Sequence, residues 1–295
     1  MKKILYSLVA LLLITIPSQA QLLYKISGKG LSQPSYMFGT HHLASLSIKD
    51  SIKGLMPAFE SVKQVIGEID MKDMMSPESM TKIQQKMMLG GDSTLLTILT
   101  PEEQKKVDAC VKEYLPGATL DMVKKMRPSA LMNQLTVIMI VKQLGGFNMQ
   151  EQLDTYFQKE ASTKGKKVAA LETMDLQMNV LFGSPIQRQK VLLMCLIDNA
   201  KKEAQKALEL TAYYNHQKLD AMYKLSQEKD GNECDATQAE ENILINNRNN
   251  TWIKKLPEMM KENPSLIVVG ALHLAGPNGL VAQLKKAGYT VTAVK

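Results

Sequence analysis

Cysteine is scarce in this chain, with three in 295 residues, and no two of them stand in a Cys-x-x-Cys pair. That excludes a cysteine-based zinc centre, which needs closely spaced thiolates. Histidine is nearly as scarce, at four, so any imidazole chemistry must come from very few positions. There is no His-Glu-x-x-His helix, no serine-centred nucleophile elbow and no glycine-rich phosphate cradle. No arginine cluster with interleaved aromatics occurs, which removes the usual footprint of a nucleic-acid surface. Low-complexity tracts and short-period repeats are also missing.

Long apolar runs are equally sparse. The one at the start, Leu8 to Ile16, follows Lys2 and Lys3 and precedes Pro17-Ser18-Gln19-Ala20. A basic head, a short apolar stretch and a small-residue end read as a secretory signal peptide over residues 1–20, cut before Gln21. The stretch is short of the ~20 residues a membrane span needs, and no cysteine follows the cut to carry a lipid. The chain is thus expected to be exported, periplasmic or secreted, with no membrane span after cleavage. Losing Lys2 and Lys3 takes the formal charge from +7 to +5, spread along helices rather than gathered in a patch. Cys110 and Cys195 fall in apolar helical patterns and read as buried, unreactive core residues, and Cys234 in a polar loop reads as an exposed thiol. One disulfide plus a free thiol is the alternative in an oxidising compartment. The many methionines are interleaved with Lys and Gln at no ligand spacing and read as core filler.

What is present is a set of short strands separated by helices. Leu22 to Ser27 and Ser35 to Thr40 pattern as a hairpin, Val62 to Asp70 and Val168 to Thr173 as strands, and Leu266 to Leu272 as a strand buried on both faces. Tyr289 to Val294 reads as a final strand. Leu46 to Phe59 patterns as a helix with Asp50 and Ser51 as cap candidates. Ser76-Pro77-Glu78 and Thr100-Pro101-Glu102-Glu103 are helix starts, and Arg127-Pro128 marks a boundary. An apolar helix from Leu131 to Leu144 ends at Gly145-Gly146, and another helix begins near Gln150. Helical patterns fill Met174 to Phe182, Pro185 to Lys229 and Thr237 to Lys261, where Pro257 is expected to kink or split the helix. The fold class is mixed α/β: one central sheet built from both ends and the middle of the chain, with helical insertions around 76–163 and 185–261.

Two strands end in Gly-x-x-His: Gly39-Thr40-His41-His42 and Gly270-Ala271-Leu272-His273. Glycine at Gly39 and Gly270 suits close backbone approach. Sites in open α/β sheets form at the carboxyl ends of strands, where Glu68, Asp70 and Glu172 also stand. Two neutral imidazoles and a carboxylate with an open position describe a catalytic divalent-metal site, in which bound water becomes acidic. His41 should face the other way from its neighbour. Glu68 in an apolar strand needs a partner, whether a metal, Arg248 or a cap. Asp70 reads as a cap or site neighbour, and Glu172 as a helix-start acid or site residue. Arg248, flanked by Asn249, reads as a solvated helix start or as an anchor for a carboxylate or oxyanion.

These stretches together resemble the TraB/PrgY/GumN family, which includes Tiki-type metalloproteases and is distantly similar to erythromycin esterase-like and ChaN-like proteins. The resemblance rests on Tyr36 to His42, Val65 to Asp70, Lys125 to Pro128, Leu153-Asp154, Lys166 to Thr173 with Gln177, Asn247-Arg248-Asn249 with Trp252, and Val269 to Leu280 with Gly288-Tyr289. It covers nearly the whole mature chain, and the family-like domain is placed at residues 21–295. His41 stands where an apolar residue is usual, and no glycine precedes Asp154 as it often does in the family. The resemblance implies that His42, Glu68 and His273 hold a divalent metal, manganese- or cobalt-like with zinc as an alternative, and that Glu172 and Arg248 line the site. It implies hydrolysis of a peptide or small-molecule substrate. The alternatives are a metal-independent, esterase-like hydrolase with a histidine base, and a binding protein that sequesters a peptide or signal without turnover.

Overall fold

The structure, a computed structural model, describes residues 21–144 and 151–294. The signal-peptide reading, the Gly145-Gly146 helix end and the helix start at Gln150 lie outside the described residues. Six strands form one sheet: β1 (Leu23–Ser27), β2 (Ser35–Thr40), β3 (Gln64–Gly67), β4 (Lys167–Ala170), β5 (Ser265–Gly270) and β6 (Thr290–Ala293). Their order is β4-β3-β5-β2-β1-β6. β2, β3 and β4 run parallel to their neighbours around β5, and β1 is antiparallel to both β2 and β6. The central strands are apolar without alternation because both faces are covered: Val65, Ile66 and Leu266 through Val269 have no exposed surface.

The register sets the carboxyl ends level. Thr40 lies opposite Gly270, Gly67 opposite Val268, and Gly67 also opposite Ala170. Everything that follows β2, β3, β4 and β5 therefore emerges on one edge of the sheet. β5 stands between β2 and β3, so consecutive strands part there. Such a switch point leaves a crevice.

Three strands stop earlier than their patterns do, β4 among them at Ala170. β3 ends at Gly67, and β5 ends at Gly270, followed by a 3₁₀ turn over Ala271–His273. The Glu68 side chain takes the Gly270 N–H at 2.8 Å, in place of a further backbone rung. His273 thus sits on a turn rather than on the strand itself. Leu46 to Phe59 divides into Ile48–Ser51 and Leu55–Ser61, because Gly54 adopts φ +82 between them, and neither Asp50 nor Ser51 caps. Ser76 and Thr100 do cap, each accepting from the backbone three residues on. Pro257 lies inside an unsplit helix, Asn247–Glu262. The irregularity falls upstream instead, in a π-helical turn over Asn242–Asn246.

Buried apolar residues form two clusters. One packs on the sheet and includes Phe38, Phe59, Phe157, Tyr214, Trp252 and Leu256. The other is built mainly from helices and includes Leu95, Val107, Leu131, Leu135, Phe182 and Leu193. Among the described residues no single helix is long and apolar enough to cross a membrane. The one bent pair that passes by composition, Met174–Phe182 with Ile186–Asp198, places Met178, Phe182, Leu193 and Leu196 in the helical cluster.

Cys195 is not an inert core residue. It is bonded to Cys234 across 39 residues, and Cys110 is the free, buried thiol. Apolar helical spacing hid the pairing, because Cys195 stands on the half-buried side of its helix. A cross-link over a loop of that length restricts the unfolded chain, so Cys234→Ser is expected to lower stability by about 2–4 kcal/mol. Urea unfolding of the oxidised and variant chains checks this.

Candidate active site

The site grows from four chain ends on one sheet edge and one helix laid against them. Glu68 follows β3, Glu172 lies two residues beyond β4, and His273 closes the turn after β5. The helix Asn247–Glu262 buries Arg248, Asn249, Trp252, Leu256 and Met260, a stripe at helical spacing. Arg248 and Trp252 are one turn apart and both reach Glu172.

Arg248 uses its whole guanidinium. Nε donates to Glu172 Oε2 at 3.0 Å, and Nη2 donates to Glu172 Oε1 at 2.7 Å and to Glu68 Oε2. Nη1 donates to the Leu244 carbonyl and to His273 Nε2, each at 3.0 Å. Arginine has five N–H bonds, and each has a protein acceptor. The Leu244 carbonyl lies in the π-helical turn that precedes the helix carrying Arg248. The planar group also lies over the Trp252 ring, 4.7 Å from its centroid.

His273 is fixed in one tautomer. Asn249 Nδ2 donates to the carbonyls of His273 and Asn278, at 3.1 and 3.0 Å. Its Oδ1 is therefore the atom 2.7 Å from His273 Nδ1, and Nδ1 carries the proton. Nε2 presents its lone pair to Arg248. Burial pushes the imidazole down to about 4; Glu68 opposes this and Arg248 adds to it. The ring is neutral and packs 4.4 Å from Trp252.

Glu68 is ionised. Burial works against its charge, and the His273 imidazole, the Arg248 guanidinium and the Gly270 N–H more than offset that, holding it below the usual carboxylate range. The guanidinium donates to Oε2 and the Gly270 N–H to Oε1. Gln177 Nε2 bridges Glu68 Oε2 and Glu172 Oε1 at 3.2 and 3.4 Å.

His42 stands apart from this cluster. Its side chain is 74% exposed, and its Nδ1 lies 3.9 Å from Asp154 Oδ2. Asp154 is held by Thr40 Oγ1, which donates to Oδ1 at 3.0 Å. Its Oδ2 is buried and has no hydrogen-bond partner among the described residues. Burial raises the Asp154 carboxyl, with His42 opposing and Glu68 adding. His41 turns inward as alternation requires, reaching Thr211 Oγ1 at 2.9 Å and packing 5.3 Å from the Tyr214 ring. The Tyr214 hydroxyl donates to the Gly39 carbonyl at 2.9 Å. Gly39 is needed for close approach, since a Cβ there would stand 2.8 Å from Ala271 Cα. Gly270 is not, because a Cβ would meet only Glu68 and His273 at 3.4 and 3.6 Å, ordinary contacts.

Both groups line one cavity of about 440 Å³, whose remaining wall is mostly apolar, with Leu181, Leu210, Met222, Leu244 and Leu272 beside Gln152 and Gln158. That volume and mixed lining suit a small ligand or a short peptide segment. Asp70 is outside it. It caps the helix Met71–Met74 by accepting from Lys72 and Asp73. The residues the sequence leaves without a role are Asp154 and Gln177, both within matching stretches but without a motif of their own.

The implied metal set does not fit this arrangement. His273 offers a metal only its Nε2 lone pair, and Arg248 occupies it. Glu68 is committed to Arg248, Gln177 and Gly270. His42 pairs elsewhere, and among the described residues no three His, Cys, Asp or Glu side chains converge as a metal cage.

The family model described as TraB/PrgY/gumN family matches residues 22–293. No curated protein matches the chain, and no solved structure does.

Proposed function

The chain belongs to the TraB/PrgY/gumN family, and from that premise we propose that it is an exported hydrolase in which His42 is the base and Asp154 its partner. The observation that carries this reading is the buried Asp154 Oδ2, unpartnered among the described residues and facing the exposed His42 ring. Every N–H of the Arg248 guanidinium and both ring nitrogens of His273 are engaged, which favours His42 and Asp154 as the groups that meet a reactant. The 3.9 Å separation is long for a hydrogen bond, and such pairs often close only around substrate.

In this reading Nδ1 of His42 faces the carboxylate and Nε2 faces the cavity. Nε2 takes a proton from water as the oxygen bonds to a substrate carbonyl carbon, and returns it to the leaving group as the acyl bond breaks. Asp154 stabilises the imidazolium that forms between those two steps. Arg248 has no free N–H for an oxyanion, so its part is to hold Glu68, Glu172 and His273 in place. The apolar wall favours a peptide or small ester with an apolar group beside the scissile bond. The Cys195–Cys234 bond supports export, since such links persist in oxidising compartments.

His42→Ala and Asp154→Asn are expected to lower kcat by about 10²–10⁴-fold while the chain stays folded by circular dichroism. Hydrolysis of N-acetylated leucine and phenylalanine esters and peptides checks this, with and without chelator. Full activity in both variants defeats the assignment. Loss with chelator and recovery with manganese would return the metal-dependent reading that the family resemblance implies.

A further inference from the structure

We propose that Arg248 is the resident cation of this cluster, standing where a divalent ion would have to stand to bridge Glu68, Glu172 and His273, and so keeping those three residues free of metal. The misfit of the family-implied metal set is thereby explained by a residue rather than left as an oddity.

Three features point the same way. Glu68 and Glu172 converge on one guanidinium, the arrangement two carboxylates otherwise adopt around a metal. The third ligand a metal would take, His273 Nε2, receives an Arg248 N–H at 3.0 Å. The outer support of a metal-binding histidine is also built: Asn249 Oδ1 accepts from Nδ1 and sets the ring orientation, as outer-shell acceptors do for metal ligands. The site therefore has the carboxylates, the imidazole and the tautomer lock of a metal centre, with arginine at the centre. A fixed guanidinium neutralises the carboxylates without needing an ion from outside, and unlike lysine it satisfies them in a planar fork.

The inference concerns the cluster alone and stands whether or not His42 and Asp154 hydrolyse anything, so it is tested by binding rather than turnover. Imidazole nitrogen shifts of ¹⁵N-histidine-labelled wild-type chain report His273 directly. The expected spectrum has Nδ1 protonated and Nε2 as an unprotonated acceptor, unmoved by an excess of zinc or manganese(II). A metal-induced shift or paramagnetic loss at His273 overturns the proposal. Binding confined to His42 leaves the His273 signals in place and supports it. Arg248→Met removes the cation at similar volume. That variant is expected to bind one zinc or manganese ion per chain at the cluster, where wild type takes none, and to lose it when His273→Ala is added. Should Arg248→Met not fold, addition of the metal is expected to restore its folded circular dichroism. Failure to gain metal in a folded variant also counts against the proposal, and the wild-type titration decides it independently of either variant.

Discussion

In chelated buffer Arg248→Met is expected to destabilise the chain by about 3–5 kcal/mol, the range for removing one partner of a buried ion pair. The side chain is 8% exposed, Glu172 3% and Glu68 18%, so the two carboxylates cannot recover their lost partner from water. His273 Nε2 and the Leu244 carbonyl lose their donor in the same step. Each such buried group left unpaired carries its own desolvation cost. Exposed pairs give the contrast: disrupting Lys82–Glu78 on the helix Pro77–Met87 should leave the urea midpoint essentially unchanged, because water screens both groups. Arg248→Lys should fall between, because it restores the charge but not the five-donor fork. Adding Glu68→Gln and Glu172→Gln to Arg248→Met should recover part of the loss, since the cost lies in stranded charges more than in a missing attraction. Urea unfolding of the series measures these values. A loss below about 1 kcal/mol for Arg248→Met would mean that the cluster is open to solvent and that its partners are not held by the arginine.

The cluster explains which parts of the site were legible in the sequence. Strand ends were, because apolar runs stop at chemistry: Val-Ile-Gly before Glu68, Ala-Ala-Leu before Glu172, Val-Val-Gly before the turn to His273. Helix starts were legible for the same local reason, as Ser76 and Thr100 each cap a backbone three residues away. The pairing of Arg248 with Glu68 spans 180 residues and with Glu172 spans 76, and no local pattern encodes such distances. Asp154 was legible only within the matching Leu153-Asp154 stretch, with no role attached to it. A single acid in the first turn of Leu153–Thr163 reads as a dipole partner, and only the fold shows that Thr40 holds one of its oxygens. The two Gly-x-x-His spacings look equivalent on paper. They differ in the structure because β2 leads to an open turn that exposes His42, whereas β5 leads to a 3₁₀ turn that drops His273 under the helix carrying Arg248. The Cys195–Cys234 link follows the same rule: an apolar helical period reports which face is inward, not which neighbour lies across it.

Acidification from pH 6.5 toward pH 4 is expected to remove several kcal/mol of stability, through histidines that the fold keeps neutral. Burial lowers both His273 and His41 from 6.5 to about 4. In the unfolded chain each takes up a proton as pH drops through about 6.5, whereas in the folded chain each resists until about 4. The unfolded state therefore binds more protons throughout that window, so stability is complete above it, declines within it and levels off below it. For His273 the shift corresponds to roughly 3 kcal/mol, and for His41, which is less enclosed, to somewhat less. Asp154 works in the opposite direction. Its raised carboxyl holds a proton in the folded chain where the unfolded chain has released it, so acidification through its folded pKa returns some stability. Glu68 adds to the loss only at the acid end, because its lowered carboxyl contributes stability that vanishes once unfolded carboxylates protonate. The two histidines outnumber the one opposing acid, and their sum approaches the ~5–15 kcal/mol that a whole domain commands. Urea unfolding at intervals from pH 7 to 4.5 should show a falling midpoint. His41→Gln, which can still meet Thr211 but cannot titrate, should reduce the slope. A midpoint constant across that range would mean that His273 and His41 take up protons in the folded chain as readily as in the unfolded one, and with it that Nε2 of His273 is not held as an acceptor by Arg248.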